Sequence, residues 1–231
     1  MKVIMTGGGT GGHIYPAIAI ADEIRKRNED AEILFVGAER GLERELVPKR
    51  GYEIELIPAE GLNRKNMLKN IRVAGKLIKG KAKARKILKY FRPDFVVGTG
   101  GYASAPLVRE AQRLKIPTYI HEQNAYPGVT NKLLEKGARK VFVGFEKAAE
   151  YFKSKDKIVA SGNPVRDEFM NCDRTEAREK LGFGENDFVV FAFGGSQGAG
   201  RINKAMINVI KHFNGSDGIR ICLGAGSYYY D

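Results

Sequence analysis

Cysteine is scarce in this chain of 231 residues: Cys172 and Cys222 stand far apart, without the spacing of a metal-ligand pair. That excludes a disulfide scaffold and argues against a zinc site, leaving two free thiols suited to a reducing compartment. Long apolar runs are missing as well. Nothing approaches the roughly 18 consecutive apolar residues of a membrane span, and the opening MKVIMTGGG lacks the charged and apolar regions of a secretory signal. The expectation is a cytosolic protein, or one that sits on a membrane from its cytosolic side. No repeat of solenoid length and no low-complexity tract is present. Acidic residues, finally, are absent from one stretch. Between Gly61 and Pro93 there are 12 Lys and Arg and no Asp or Glu, against 39 basic and 27 acidic residues in the whole chain. The formal charge of +12 therefore resides in this window, and the remainder is neutral.

What is present is an ordinary globular composition, 43% hydrophobic and 29% charged, long enough to bury a core. The first 160 residues or so alternate short β-branched runs with amphipathic stretches, the pattern of βα units that build a parallel sheet. Strands are expected at residues 2–6, 32–36, 52–58, 95–97, 117–121, 140–145 and 157–160. Helices fit between them at 16–26, 42–49, 67–91, 105–114, 130–136 and 146–152. From Ser161 the character changes, through GNPVR and a segment rich in Asp, Glu and Arg, to a strand at 188–193, a helix at 202–212 and a strand at 219–223. One βαβ unit does not cover both faces of a sheet, so the second domain is expected to be incomplete in this chain.

Three glycine clusters follow predicted strands: Gly7–Gly12, with five glycines in six residues; Gly98–Gly101, before Tyr102; and Gly194–Gly198. Glycine is needed where a strand-to-helix turn brings backbone N–H groups against a phosphate. In parallel α/β sheets ligands bind beyond the carboxyl ends of the strands, so three such loops point to one crevice. Gly7, Gly9 and Gly12 also satisfy the G-x-G-x-x-G spacing of a dinucleotide fold, with Glu39 placed to hold a ribose, although an NAD site does not need all three loops. His13 follows the first loop at the mouth of a helix expected to begin near Pro16, where an imidazole can accept a proton at neutral pH. His121-Glu122-Gln123-Asn124 closes another strand at the same rim. Four polar side chains there make either a ligand site or an internally bonded corner. Arg166, at the exit from the first domain, is placed to reach a phosphate or to bond the linker.

Taken together, GGGTGGHIYPAIAIA, GTGGYASAP, HEQNAYPGVTNKLL, GNPVR and FGGSQGA, in this order, closely resemble the MurG family of glycosyltransferases (glycosyltransferase family 28). The resemblance implies an α/β fold of GT-B type: one complete Rossmann-like parallel-sheet domain, residues 1–163, holding the acceptor and meeting the membrane, and residues 164–231 as linker and beginning of a donor domain. It implies inverting transfer of N-acetylglucosamine from UDP-N-acetylglucosamine to the 4-hydroxyl of undecaprenyl-pyrophosphoryl-N-acetylmuramoyl-pentapeptide, at the cytoplasmic face of a bacterial cell membrane, without metal or cofactor. By motif position it implies His13 as general base, aided by Glu122. Thr10, Gly11, Gly12, Asn124, Arg166 and Ser196 correspond to donor contacts. Gly100, Gly101, Tyr102, His121 and Gln123 correspond to acceptor pyrophosphate contacts. Because the family's uracil-binding and sugar-binding segments lie beyond Asp231, weak or absent donor binding is expected of the chain alone. Other readings of the same features are a GT-B lipid glucosyltransferase or 2-epimerase, an NAD-dependent oxidoreductase, and a nucleic-acid-binding module.

In the basic window, Met67, Ile71, Ala74 and Ile78 recur at helical spacing beside Leu68 and Leu77, with Lys69, Arg72, Lys76 and Lys79 around them. That composition suits an anionic lipid surface better than nucleic acid, since aromatic stacking platforms are lacking. Ile87, Leu88 and Phe91 are expected to pack inward.

Overall fold

The structure, a computed structural model, describes residues 1–61, 69–195 and 198–229, with residues 69–72 and 74 described through their backbone alone. It divides into two compact units, Met1–Asp167 and Glu168–Asp231. In the first unit the elements run β1 (Lys2–Thr6), α1 (Gly11–Arg27), β2 (Glu32–Ala38), α2 (Glu43–Leu46), β3 (Glu53–Ile57), α3 (Lys69–Phe91), β4 (Phe95–Gly98), α4 (Ser104–Arg113), β5 (Thr118–Glu122), α5 (Val129–Leu134), β6 (Lys140–Val143) and β7 (Ile158–Ala160). The seven strands form one sheet in the order β3-β2-β1-β4-β5-β6-β7, and every pair is parallel.

Strands covered on both faces carry apolar side chains at successive positions, and β1 (KVIMT) shows this at Val3, Ile4 and Met5. Val3 and Met5 face α1, packing with Ile14, Ala17, Ile18 and Ala21. Ile4, between them, points the other way, toward Leu88 of α3 and Leu107, Val108 and Ala111 of α4. Each face thus closes over its own apolar cluster.

Several expected elements differ in their bounds: the helix expected at 42–49 is α-helical only over Glu43–Leu46, the one expected at 130–136 only over Val129–Leu134, and the strand expected at 140–145 ends at Val143. Helix α1 begins at Gly11, five residues before the expected start, because Thr10 is the extended cap whose carbonyl accepts from His13 N (3.1 Å) and Ile14 N (3.2 Å). Pro16 therefore lies inside the helix, although proline usually marks its first turn. The stretch Glu146–Tyr151 is a 3-10 helix rather than an α-helix, and Ala148 is its one buried residue. A segment with so little apolar surface gains little from a longer regular helix.

The second unit contains α7 (Arg174–Lys180), capped by the Asp173 carboxylate, which accepts from Glu176 N at 2.9 Å. α6 (Asp167–Met170) precedes it, and β8 (Phe188–Phe193), α8 (Gly200–Phe213) and β9 (Ile219–Gly224) follow, with the two strands paired in parallel. Among the described residues of this unit Asn203 alone is buried, and Phe188, Phe191 and Phe193 are all more than half exposed. Its described residues enclose no core.

Helix α3 buries Val73, Gly80, Ala84, Ile87 and Leu88. Gly80 lies against the end of β3, where a Cβ would come within 2.2 Å of the Pro58 carbonyl oxygen. Helix propensity alone favours alanine there by about 1 kcal/mol. The contact reverses the sign. Gly80→Ala is expected to lower stability by about 1–3 kcal/mol in urea unfolding, because α3 must move off the sheet; a stabilised variant would contradict this packing.

Candidate functional site

All seven carboxyl ends of the sheet lie on one rim, where two of the three glycine clusters meet. Gly8 N donates to the Gly100 carbonyl at 3.4 Å. Gly101, at φ +79°, lies so close to Gly8 that a Cβ would be 2.1 Å from its carbonyl oxygen. Gly100 touches the His13 ring, since a Cβ there would be 3.0 Å from Nδ1. Gly100 and Gly101 are thus required by protein packing, whatever else the loops bind. The third cluster belongs to the second unit, and Ser196, within it, lies outside the described residues.

His13 is the third residue of α1 and half-buried. Its Nδ1 lies 3.0 Å from the Thr99 carbonyl and 3.1 Å from Gln123 Oε1. Both are acceptors, and a backbone carbonyl is never anything else, so Nδ1 carries the proton. In the neutral ring Nε2 then holds the lone pair. The Thr99 hydroxyl returns a bond to the His13 carbonyl at 2.7 Å. Sequence reasoning singled out His13 but not the groups that hold it.

His121, at the end of β5, is 2% exposed. Its Nε2 lies 3.0 Å from the Gly162 carbonyl, and its Nδ1 lies 3.0 Å from Gln123 Nε2. Both ring nitrogens are therefore occupied. The Gln123 amide nitrogen also reaches the His121 carbonyl at 3.2 Å. These two residues were expected to meet a pyrophosphate; the structure instead turns their polar atoms onto each other and onto the chain. Beside them an apolar cavity of about 400 Å³ is lined by Ile20, Ile24, Phe95, Tyr119 and Phe142 together with His121. Burial lowers the His121 pKa, against smaller raising effects from the Gly162 bond and the Glu122 charge.

Glu122, expected to assist the base, is 1% exposed and fully engaged. Oε1 accepts from Asn124 N (3.0 Å) and Asn124 Nδ2 (2.9 Å), while Oε2 accepts from Gly128 N (2.9 Å) and Asn131 Nδ2 (2.9 Å). Four donors on a buried carboxylate build the corner between β5 and α5 and leave it no role as a proton acceptor. Asn124 is exposed at that corner, with its amide nitrogen held by Glu122. The linker is fastened to the same place, as Asn163 Nδ2 donates to the Gln123 carbonyl at 3.2 Å.

Glu43 was not foreseen. It is buried among Gly8, Gly37 and Gly41, and its carboxylate accepts from Ala38 N at 2.9 Å and Gly9 N at 3.0 Å. A chain carboxylate thus takes the first-loop donor that a dinucleotide pyrophosphate would need, which counts against the NAD reading. Tyr102 lies over Gly9 and donates its hydroxyl to the Arg40 carbonyl at 2.8 Å. Burial, then Glu43 and Glu60, raise its pKa. At the start of α1, Thr10 and Gly12 are exposed. Gly11 is covered by the Tyr15 ring, on which the Arg166 guanidinium rests at 4.7 Å. Tyr15 is the unforeseen link between Gly11 and Arg166, both expected donor contacts. Among the described residues no three His, Cys, Asp or Glu side chains gather as a metal-ligand set.

On α3, Ile78 is 69% and Leu77 40% exposed, and Lys79 is exposed. Lys76 pairs with Glu60 at 2.5 Å and Lys83 with Glu55 at 3.7 Å, so acids from just outside the basic window offset part of its charge. Met67 and Leu68 lie outside the described residues; Lys69, Ile71 and Arg72 are within the helix, described through their backbone.

The lowered His121 pKa makes stability depend on pH. The unfolded chain binds a proton at about pH 6.5 while the folded chain binds it only lower, so acid favours unfolding. The contribution is constant above pH 7 and is lost as pH falls from about 6.5 toward the folded value. Urea midpoints at pH 7.5 and 5.5 are expected to differ less in His121→Phe than in the unaltered chain; an unchanged difference would contradict the assignment.

The glycosyltransferase family 28 N-terminal domain matches residues 3–143. The UDP-N-acetylglucosamine–N-acetylmuramyl-(pentapeptide) pyrophosphoryl-undecaprenol N-acetylglucosamine transferase of Acetivibrio thermocellus is 47% identical over 231 residues, all of this chain and 63% of the relative. The transferase of the same name from Clostridioides difficile is also 47% identical, with 57% of its length covered. The chain thus spans about three fifths of the curated relatives it matches. Among solved structures, the crystal structure of Acinetobacter baumannii MurG superposes with a TM-score of 0.69 at 25% identity, over 96% of this chain and 67% of that one. UDP-GlcNAc 2-epimerase from Neisseria meningitidis, bound to UDP-GlcNAc, superposes at 0.65 with 17% identity, over 96% and 65%, a likeness of fold alone. With a Rossmann-like parallel sheet, its glycine loops locked at one rim and the family model covering more than half of its length, the chain belongs to glycosyltransferase family 28.

Proposed function

We propose that this chain serves transfer of N-acetylglucosamine from UDP-N-acetylglucosamine to the 4-hydroxyl of undecaprenyl-pyrophosphoryl-N-acetylmuramoyl-pentapeptide. The observation that carries the reading is His13, whose Nδ1 proton is committed to two acceptors while Nε2 keeps its lone pair at the rim. The names of relatives at 43–47% identity supply the substrates, and they favour this transfer over the 2-epimerases, which share only the fold.

In the proposed step His13 Nε2 takes the proton of the muramoyl 4-hydroxyl as that oxygen attacks the anomeric carbon from the face opposite the diphosphate. The new C–O bond forms as the bond to UDP breaks; UDP leaves with the electron pair, and configuration inverts. The Arg166 guanidinium, steadied on Tyr15, would stabilise the departing diphosphate. Thr10, Gly11, Gly12 and Asn124 belong to the same donor-side reading, and Gly100, Gly101 and Tyr102 to the acceptor side. In the transferase with its donor domain complete, His13→Asn is expected to lower kcat by about 10²–10⁴-fold with little change in KM for the sugar nucleotide; retention of activity within tenfold would remove His13 as the base.

The acceptor's lipid tail places the reaction at a membrane surface, and the exposed Ile78 and Leu77 with Lys79 offer the contact. Among the described residues no helix is long and apolar enough to cross a membrane. The basic residues of this reading are Lys69, Arg72, Lys76 and Lys79, of which Lys76 pairs with Glu60. Their replacement by Glu is expected to release the chain from vesicles containing phosphatidylglycerol in co-sedimentation; unchanged binding would locate the contact elsewhere.

A further inference from the structure

We propose that Gln123 is a positioning residue for His13, held in one amide orientation by His121, so that the proton on the base is fixed from the Gly162 carbonyl. The proposal rests on the reading of His13 as the base and adds what keeps it in the productive form.

The argument follows hydrogen-bond polarity from two groups that cannot change theirs. The Gly162 carbonyl accepts only, so at 3.0 Å it requires a proton on His121 Nε2. With His121 neutral, Nδ1 is then an acceptor, and the Gln123 atom 3.0 Å away must be the amide nitrogen. The His121 carbonyl at 3.2 Å demands the same orientation. The amide oxygen is thereby turned toward His13 Nδ1, at 3.1 Å. From the other end the Thr99 carbonyl, 3.0 Å from that nitrogen, independently requires a proton on it. Both ends agree. Each assignment starts from a backbone carbonyl, so no free choice of ring or amide orientation remains.

Two further features fit. The chain of bonds begins in the segment Ser161–Asn163, which is pinned a second time by Asn163 Nδ2 on the Gln123 carbonyl. Burial of His121 beside an apolar cavity favours the uncharged ring that the arrangement needs. A proton on His121 Nδ1 would face the Gln123 amide nitrogen, donor against donor. Turning the amide to relieve that conflict would bring its nitrogen against the proton on His13 Nδ1. Neutral His121 is thus a condition for an undisturbed base.

Two substitutions at Gln123 separate this from a merely structural role. In Gln123→Glu a carboxylate oxygen replaces Oε1 beside the His13 Nδ1 proton and favours the protonated ring. The acid limb of the kcat/KM profile should move up by about one pH unit, and the Nδ1 proton resonance of His13 should move downfield. In Gln123→Met that acceptor is lost; the resonance should move upfield, and kcat should fall about tenfold or more while KM stays within twofold. Opposite displacements in the two variants are the expected result. If the His13 resonance moves in neither, or in the same direction in both, the proposal is overturned. If the resonances separate as expected while the acid limb stays in place, the positioning stands and His13 is not the base. Should Gln123→Glu fail to fold, the upfield displacement in Gln123→Met decides alone.

Discussion

Parallel pairing of all seven strands is the constraint on which the rest depends. It forces every βα connection to emerge at one rim, so His13 after β1, Thr99 after β4 and His121 at the end of β5 come together although up to 108 positions separate them. It also demands cover on both faces, which α1 supplies on one side and α3 and α4 on the other. The loops then crowd. Glycine at positions 8, 100 and 101 is the consequence, since a side chain at any of them would meet Glu43, the His13 ring or the backbone of the opposite loop.

Within that crowded rim, charge and hydrogen-bond polarity divide the work. The buried carboxylates are structural: Glu43 ties the first loop to the end of β2, and Glu122 ties β5 to α5. Every oxygen of the two carboxylates accepts from at least one nearby N–H group, which offsets the cost of burying them. Among the described residues of the rim, Nε2 of His13 and the exposed start of α1 keep capacity to spare.

The sheet was legible because its signals are local. β1, at Lys2–Thr6, and β8, at Phe188–Phe193, match the expected bounds, since apolar β-branched runs between glycines leave few alternatives. The inward side of α3 was equally readable from Ile87 and Leu88. The start of α1 was not, because Pro16 imitates a first-turn signal. The site was legible as a set of residues but not as a set of roles. His121 and Gln123 read as ligand contacts until Gly162, 41 positions on from His121, was seen to engage the ring. Glu122 read as a second catalytic group until its four donors were placed. Pairings of that range leave no periodic trace in a single sequence, and Glu43 carried no signal beyond an acid near glycines.

The account stands on two histidines holding their protons on opposite nitrogens. Long-range proton–nitrogen correlation spectra of the chain labelled with ¹⁵N-histidine test this at neutral pH, and three histidines make assignment by single substitution direct. The account predicts His13 protonated on Nδ1 with Nε2 bare, and His121 protonated on Nε2 with Nδ1 bare. A proton on His13 Nε2 in the neutral ring would contradict it, because the nitrogen proposed to receive the substrate proton would already hold one.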